Sequence, residues 1–151
     1  MAGLAVLPAR GADRDQVLGT WKLVSYDVEV KSSGKRIPVM GEHPTGYAAL
    51  LPDGRIFFVL TGTGRKPAKT DHERAELLST LVAYTGTYTV TGNQWTTEVD
   101  AAWDPNWVGA KEVRNFTLKG DTMQVVTPWR LMPNWASQGE TRSCITFQKE
   151  P

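Results

Sequence analysis

The chain has 151 residues and a mass of 16.7 kDa, the size of one domain long enough to bury a core. Seventeen Lys and Arg against sixteen Asp and Glu leave a formal charge of +1, a balance that advertises neither nucleic acid nor an anionic membrane as partner. A single cysteine, Cys144, excludes an internal disulfide framework and a multi-cysteine zinc site.

The first dozen residues, Met1 to Ala12, read in two ways. A short apolar run, Pro8, and small residues at Ala9 and Gly11 match the end of a secretory signal, but no charged segment precedes them. The other reading is a disordered extension. A signal remnant implies the periplasm or secretion, and a plain extension implies the cytoplasm. In both cases residues 1–14 fall outside the fold and a barrel domain is assigned to residues 15–151. No segment reaches the roughly 20 apolar residues of a membrane-spanning helix.

From there the chain alternates short β-type runs with turn chemistry. Gly19-Thr20-Trp21 opens a strand over residues 21–30, the Gly allowing a tight entry and the Trp supplying a large apolar plug. A turn at Lys31-Ser-Ser-Gly34 leads to a strand at 35–40, where Pro38 argues for an edge position. Residues 46–51 and 55–60 form a hairpin about Pro52-Asp53-Gly54. Residues 61–70 are loop. In residues 71–84, Ala75, Leu78 and Val82, with Leu77, Leu81 and Tyr84, recur at helical spacing behind a Thr70 or Asp71 cap. Such a helix needs a partner for its stripe, so it is expected to cover one barrel opening. Further strands are expected at 85–91, 95–103, 108–119, 122–128 and 141–149, with tight turns at Gly92-Asn93 and Lys119-Gly120-Asp121.

The predicted fold is therefore all-β: an up-and-down antiparallel barrel of about eight to ten strands with one short α-helix. Such a barrel encloses room for one small molecule. Six tryptophans suit either aromatic cavity walls or ordinary core packing. Alternation selects Phe57, Tyr84, Tyr88, Trp95, Trp103 and Arg114 as the ligand-binding lining. A bulge would invert every assignment downstream of it.

Glu98 and Asp100, two apart on one strand, share a face. Facing inward they would be candidate catalytic acids or bases, since a desolvated carboxyl has a raised pKa; facing outward they are solvated beside Thr96, with Trp95, Thr97, Val99 and Ala101 inside. Arg114 shares a face with Phe116 and Leu118, which gives it either a ligand-anchoring role or a structural one against the Trp plug. His43 and His72 lack metal-ligand spacing, so no metal is expected. No dinucleotide or phosphate loop is present, and no cofactor is expected.

Six stretches, in order, carry a resemblance: Gly19-Thr-Trp21-Lys-Leu-Val-Ser25, Pro44-Thr-Gly46-Tyr, Pro52-Asp-Gly54-Arg, Tyr84-Thr-Gly86-Thr-Tyr88, Pro105-Asn-Trp-Val-Gly109 and Arg114-Asn-Phe-Thr-Leu-Lys-Gly-Asp121. Over roughly residues 17 to 149 the chain resembles the lipocalin-like domain family of small bacterial and fungal barrels. One departure stands out. Where that family often reads His-His-Val-Glu, this chain has Thr97-Glu98-Val99-Asp100. The resemblance implies a fold more than an activity. Two functions follow. The first is binding of a small, largely apolar ligand, of aromatic, terpenoid or polyketide type, in the barrel cavity. The alternative is a cofactor-independent cyclase, isomerase or lyase that uses a cavity carboxylate or tyrosine as acid or base. The expected partner is a small molecule, with no nucleic acid and no membrane span, and the chain is expected to be a monomer or homodimer.

Overall fold

The computed structural model describes residues 14–151; the reading of the first residues as extension or signal lies outside the described residues, Arg14 excepted. A single turn of helix, α1 (Arg14–Val17), leads into β1 (Gly19–Val30). Then follow β2 (Arg36–Ile37), β3 (Thr45–Leu50), β4 (Arg55–Thr61), α2 (Asp71–Ser79), β5 (Leu81–Thr91) and β6 (Gln94–Ala102). The chain finishes with β7 (Lys111–Lys119), β8 (Thr122–Val126), β9 (Arg130–Leu131) and β10 (Glu140–Lys149). Two short 3-10 segments, Pro105–Trp107 and Pro133–Gln138, lie before β7 and β10.

Eight long strands meander antiparallel around a closed barrel, with the two-residue β2 and β9 appended to β1 and β10. Closure comes from β1 pairing with β10, from Trp21 opposite Lys149 to Val30 opposite Thr141. Alternation then divides the side chains: Ile56, Phe58 and Leu60 of β4 and Val82, Tyr84 and Tyr88 of β5 go inward. Trp95, Thr97 and Val99 of β6 do the same. The fold class is the expected one.

Two ends differ. At one, tight turns join the strands, and Trp21 is sealed in place by its indole N–H, which donates to the Val17 carbonyl at 2.9 Å. Arg14 closes this end further, its guanidinium over the Tyr88 ring. At the other end sit the long connections: residues 31–44, 62–80, 103–110 and 127–139.

Three expectations are corrected here. The second strand shrinks to two residues, because Pro38 has no N–H to continue the ladder. The helix stops at Ser79 rather than 84, since from Leu81 onward the two-residue alternation of a buried strand prevails over the helical spacing. None of its side chains is buried and Leu78 is 53% exposed, so no apolar stripe packs on the barrel. What holds α2 is polar. Thr70 and Glu73 form a reciprocal capping box, and the Asn134 amide donates to the carbonyls of Ser79 and Leu81 at 3.1 and 2.9 Å. No helix among the described residues is long and apolar enough to cross a membrane.

Where β5 crosses β6, only glycine fits: a Cβ on Gly86 would lie 2.0 Å from the Glu98 carbonyl oxygen. Gly86→Ala must therefore push two paired strands apart, and we expect a loss of about 3 kcal/mol or more, the upper range of overpacking, measured by urea unfolding. Trp21→Ala removes a fully buried indole and should cost about 3–5 kcal/mol in the same measurement. Wild-type midpoints would show that neither residue holds the barrel closed.

Candidate functional site

The bore is filled. Trp95 stacks on Phe116 at 5.2 Å between ring centroids, Phe58 stacks on Tyr84 at 4.7 Å, and Tyr84 meets Trp107 at 5.2 Å. An eight-stranded barrel is only wide enough for its own side chains unless they are small, and here they are large aromatics. The central space bordered by Tyr26, Tyr84, Trp107, Arg114, Thr127 and Arg130 has a volume of about 10 Å³, that of a single water. The centre of the barrel, as the described residues line it, is thus not a ligand-sized cavity.

Open space lies outside the bore: about 630 Å³ between residues 63–69 and α2, about 320 Å³ on the outer face of β1, β8 and β10, and two pockets near Trp103 and Trp107 at the end with the long connections. A groove of about 340 Å³ runs between α2 and the segments around Trp103 and Pro133, lined by Ala75, Leu78, Trp103, Asp104, Pro105 and Asn134 among others. A second pocket, of about 290 Å³, is bordered by Trp107, Glu112, Arg130, Leu131 and Met132. Trp107 borders both this pocket and the centre of the barrel, and its ring packs against Trp103 at 4.8 Å. Three large apolar side chains, Leu78, Val108 and Leu131, lie more than half exposed on this rim.

Beneath Trp107 the interior is charged. Arg114, buried on β7, donates to the Glu112 carboxylate at 3.1 Å and to the Val113 carbonyl at 2.8 Å, and its guanidinium lies 5.8 Å from the Trp107 ring centroid. Burial works against the Arg114 charge, but the facing Tyr84 and Glu112 outweigh it and hold its pKa above the ordinary value. Burial raises the Tyr84 pKa, which keeps the phenol protonated beside Arg114. Arg130 differs. Its amino groups donate to the hydroxyls of Thr127 at 2.9 Å and Ser143 at 3.2 Å, and its Nε has no partner among the described residues. Ser143 in turn lies 3.0 Å from the Tyr26 hydroxyl. Burial, with the Arg114 charge adding to it, lowers the pKa of Arg130.

The structure sorts the expected site residues. Tyr84, Tyr88, Trp95 and Arg114 face inward; Tyr88 sits near the sealed end, its hydroxyl donating to the Leu51 carbonyl at 2.8 Å. Phe57 does not. It lies on the outer face of β4, 43% exposed beside the rows of Tyr47 and Val59, because the inward phase of that strand belongs to Ile56, Phe58 and Leu60. Glu98 and Asp100 are likewise outside, Glu98 paired with Lys111 at 3.4 Å and Asp100 with Arg55 at 2.7 Å. A bulge falls at Asp100, since Ala101 pairs with Thr85 and Val99 with Gly86. It shifts the phase, and Trp103 leaves the bore to stand half-buried at the rim against Trp107.

Arg114 also lies far from its expected structural partner: the cation over the Trp21 ring is Lys149, at 5.6 Å. Three residues of the charged centre escaped sequence reasoning. Glu112 could have been found by extending the Arg114-Phe116-Leu118 alternation back by two residues. Arg130 opens the two-residue β9 and Trp107 ends a 3-10 turn, elements too short for periodicity to place their side chains. At the departure from His-His-Val-Glu, Thr97 points inward, and neither its hydroxyl nor the indole N–H of Trp95 two residues earlier has a partner among the described residues.

No curated protein matches the sequence. A family model described as a lipocalin-like domain matches residues 18–150, nearly the whole described chain and the whole barrel with its closing strand. By that match, and by a closed antiparallel barrel entered through a Gly-x-Trp strand, the chain belongs to the lipocalin-like domain family.

Proposed function

We propose that the protein is a receptor for a small, largely apolar molecule, taken up at the loop-bearing end of the barrel around Trp103 and Trp107. The observation that carries this reading is the rim itself. An apolar groove of about 340 Å³ falls in the size range of small-ligand sites, and exposed Leu78, Val108 and Leu131 surround the same end. Uncovered apolar side chains beside a concave surface are stabilised by an apolar occupant, at about 25 cal/mol for each Å² removed from water. Deeper entry requires Trp107 to move, as its ring is the partition between the outer pocket and the centre.

The enzymatic alternative keeps one physical basis. Glu98 and Asp100 are solvated and ion-paired, which removes the desolvation that would tune them. The inward acid–base set is Tyr84, Glu112 and Arg114. A protonated phenol beside a guanidinium is built to donate a hydrogen bond to a carbonyl oxygen, a device that serves binding as well as polarisation of a bound ketone.

The neutral fluorophore N-phenyl-1-naphthylamine tests the reading. It should show saturable, blue-shifted emission with the full chain, and Trp103→Ala should weaken its binding about tenfold or more, the loss of much of one aromatic contact. Glu98→Gln and Asp100→Asn should leave binding unchanged. Absence of saturable binding would overturn the proposal. So would binding insensitive to Trp103→Ala but abolished by Phe57→Ala, which would put the probe on the outer apolar face.

A further inference from the structure

The hydrogen-bonding groups at the centre of the barrel are unevenly matched. Three buried polar atoms have no partner among the described residues: Arg130 Nε, Trp95 Nε1 and Thr97 Oγ1. All three can donate a hydrogen bond, and two of them can do nothing else. The charges are uneven as well. Arg114 and Arg130 border the same central space, which no carboxylate lines, and the one nearby carboxylate, Glu112, is taken by Arg114. Among the described residues Arg130 donates to neutral hydroxyls, with Glu112 acting on it as a more distant charge. Buried polar groups in folded proteins are almost always paired, and a guanidinium with no carboxylate in hydrogen-bond contact is only partly compensated.

Arg130 is also reachable. Besides the centre it borders the pocket of about 290 Å³ at the barrel mouth, where the other walls include Trp107, Lys111, Glu112, Leu131 and Met132. An occupant of this pocket therefore meets apolar surface on its body and a donor-bearing cation at its inner end. Resting on the receptor reading above, we infer that the ligand is a small apolar acid whose oxyanion, a carboxylate in the first instance, is held by Arg130 at the inner end of the mouth pocket. A neutral hydrocarbon would leave Arg130 Nε without an acceptor. A polyanion would meet the Glu112 carboxylate beside Arg130, and the other cation of the pocket wall, Lys111, is paired with Glu98 at 3.4 Å, so the arrangement suits a single negative group. The delocalised guanidinium presents its donors in a planar fork that matches a carboxylate.

The test uses matched pairs that differ in the acidic group alone: 1-naphthoic acid with 1-naphthalenemethanol, 4-phenylbutyric acid with 4-phenylbutanol, and decanoic acid with 1-decanol. Each competes at pH 7.5 against N-phenyl-1-naphthylamine on the full chain. We expect the acid of a competing pair to displace the probe at a concentration at least tenfold lower than its alcohol. The ratio should fall below about threefold in Arg130→Gln, persist in Arg130→Lys, and be unchanged in Arg55→Gln, whose guanidinium pairs with Asp100 on the outer face.

If the probe binds but acids and alcohols compete equally, the receptor reading stands and the acid inference is overturned. If neither the probe nor any of the six compounds binds, both fall. Should Arg130→Gln fail to fold, the wild-type protein decides the matter by NMR. The Nε–Hε resonance of Arg130, assigned by its loss in Arg130→Lys, must shift with each competing acid and stay in place with its alcohol; an unmoved resonance overturns the inference.

Discussion

The structure depends on the antiparallel seam between β1 and β10. That pairing runs the length of both strands and turns a ten-stranded sheet into a closed barrel, which leaves no long sheet edge in the body of the fold. Closure has a second consequence. Every inward position then faces a bore of fixed width, so the choice of inward residue decides whether the barrel is a container or a packed core. This chain places Trp95, Phe116, Phe58, Tyr84 and Phe147 there, and they fill it. Pockets open at the rim instead, where the connections carry Trp103, Trp107 and Met132.

The filled bore is not uniformly apolar, and the contrast between its two halves is where structure turns into function. Toward the tight-turn end, Trp21, Met123 and Phe147 are almost fully buried and the polar contacts are few and satisfied, such as the bond from the Trp21 indole to Val17. Toward the loop end lie Tyr26, Tyr84, Glu112, Arg114, Arg130 and Ser143, within one connected set of hydrogen bonds and charges. Taking guanidinium groups out of water is costly unless they are well paired, and apolar residues of similar volume would have packed this end more simply. One sealed end built for stability and one charged, loop-covered end is the division of labour expected of a barrel that receives something at a single mouth.

Much of the fold was legible in the chain because alternation and turn chemistry are local signals. The Gly19-Thr20-Trp21 entry, the Pro52-Asp53-Gly54 hairpin and the capped start of α2 all follow from residues within a few positions of one another. The helix end was not legible, because Leu81 and Tyr84 fit a helical stripe and a strand equally well, and only tertiary burial of Val82 and Tyr84 decides between them. The site was legible only in part. Phase on a strand is a binary choice, and Phe57 next to Phe58 offers two residues of identical chemistry for one inward slot. The bulge at Asp100 leaves no mark that a single sequence shows, yet it moves Trp103 from the bore to the rim. Arg130 and Trp107 reach the centre from a two-residue strand and a 3-10 turn, where position is set by contacts distant in sequence.

The central claim is that ligands enter at the loop end and seat against Trp107 and Arg130, rather than deep in the bore or on the outer sheet. A crystal structure of the full chain soaked with a bromine-labelled aromatic acid, 4-bromo-1-naphthoic acid, tests it most directly, since anomalous scattering locates the bromine without bias. One bromine per chain is expected in the mouth pocket bordered by Trp107, Leu131 and Met132, with the carboxylate on Arg130. A bromine beside Tyr47, Phe57 and Val59 on the outer face, with the mouth unchanged, would contradict it.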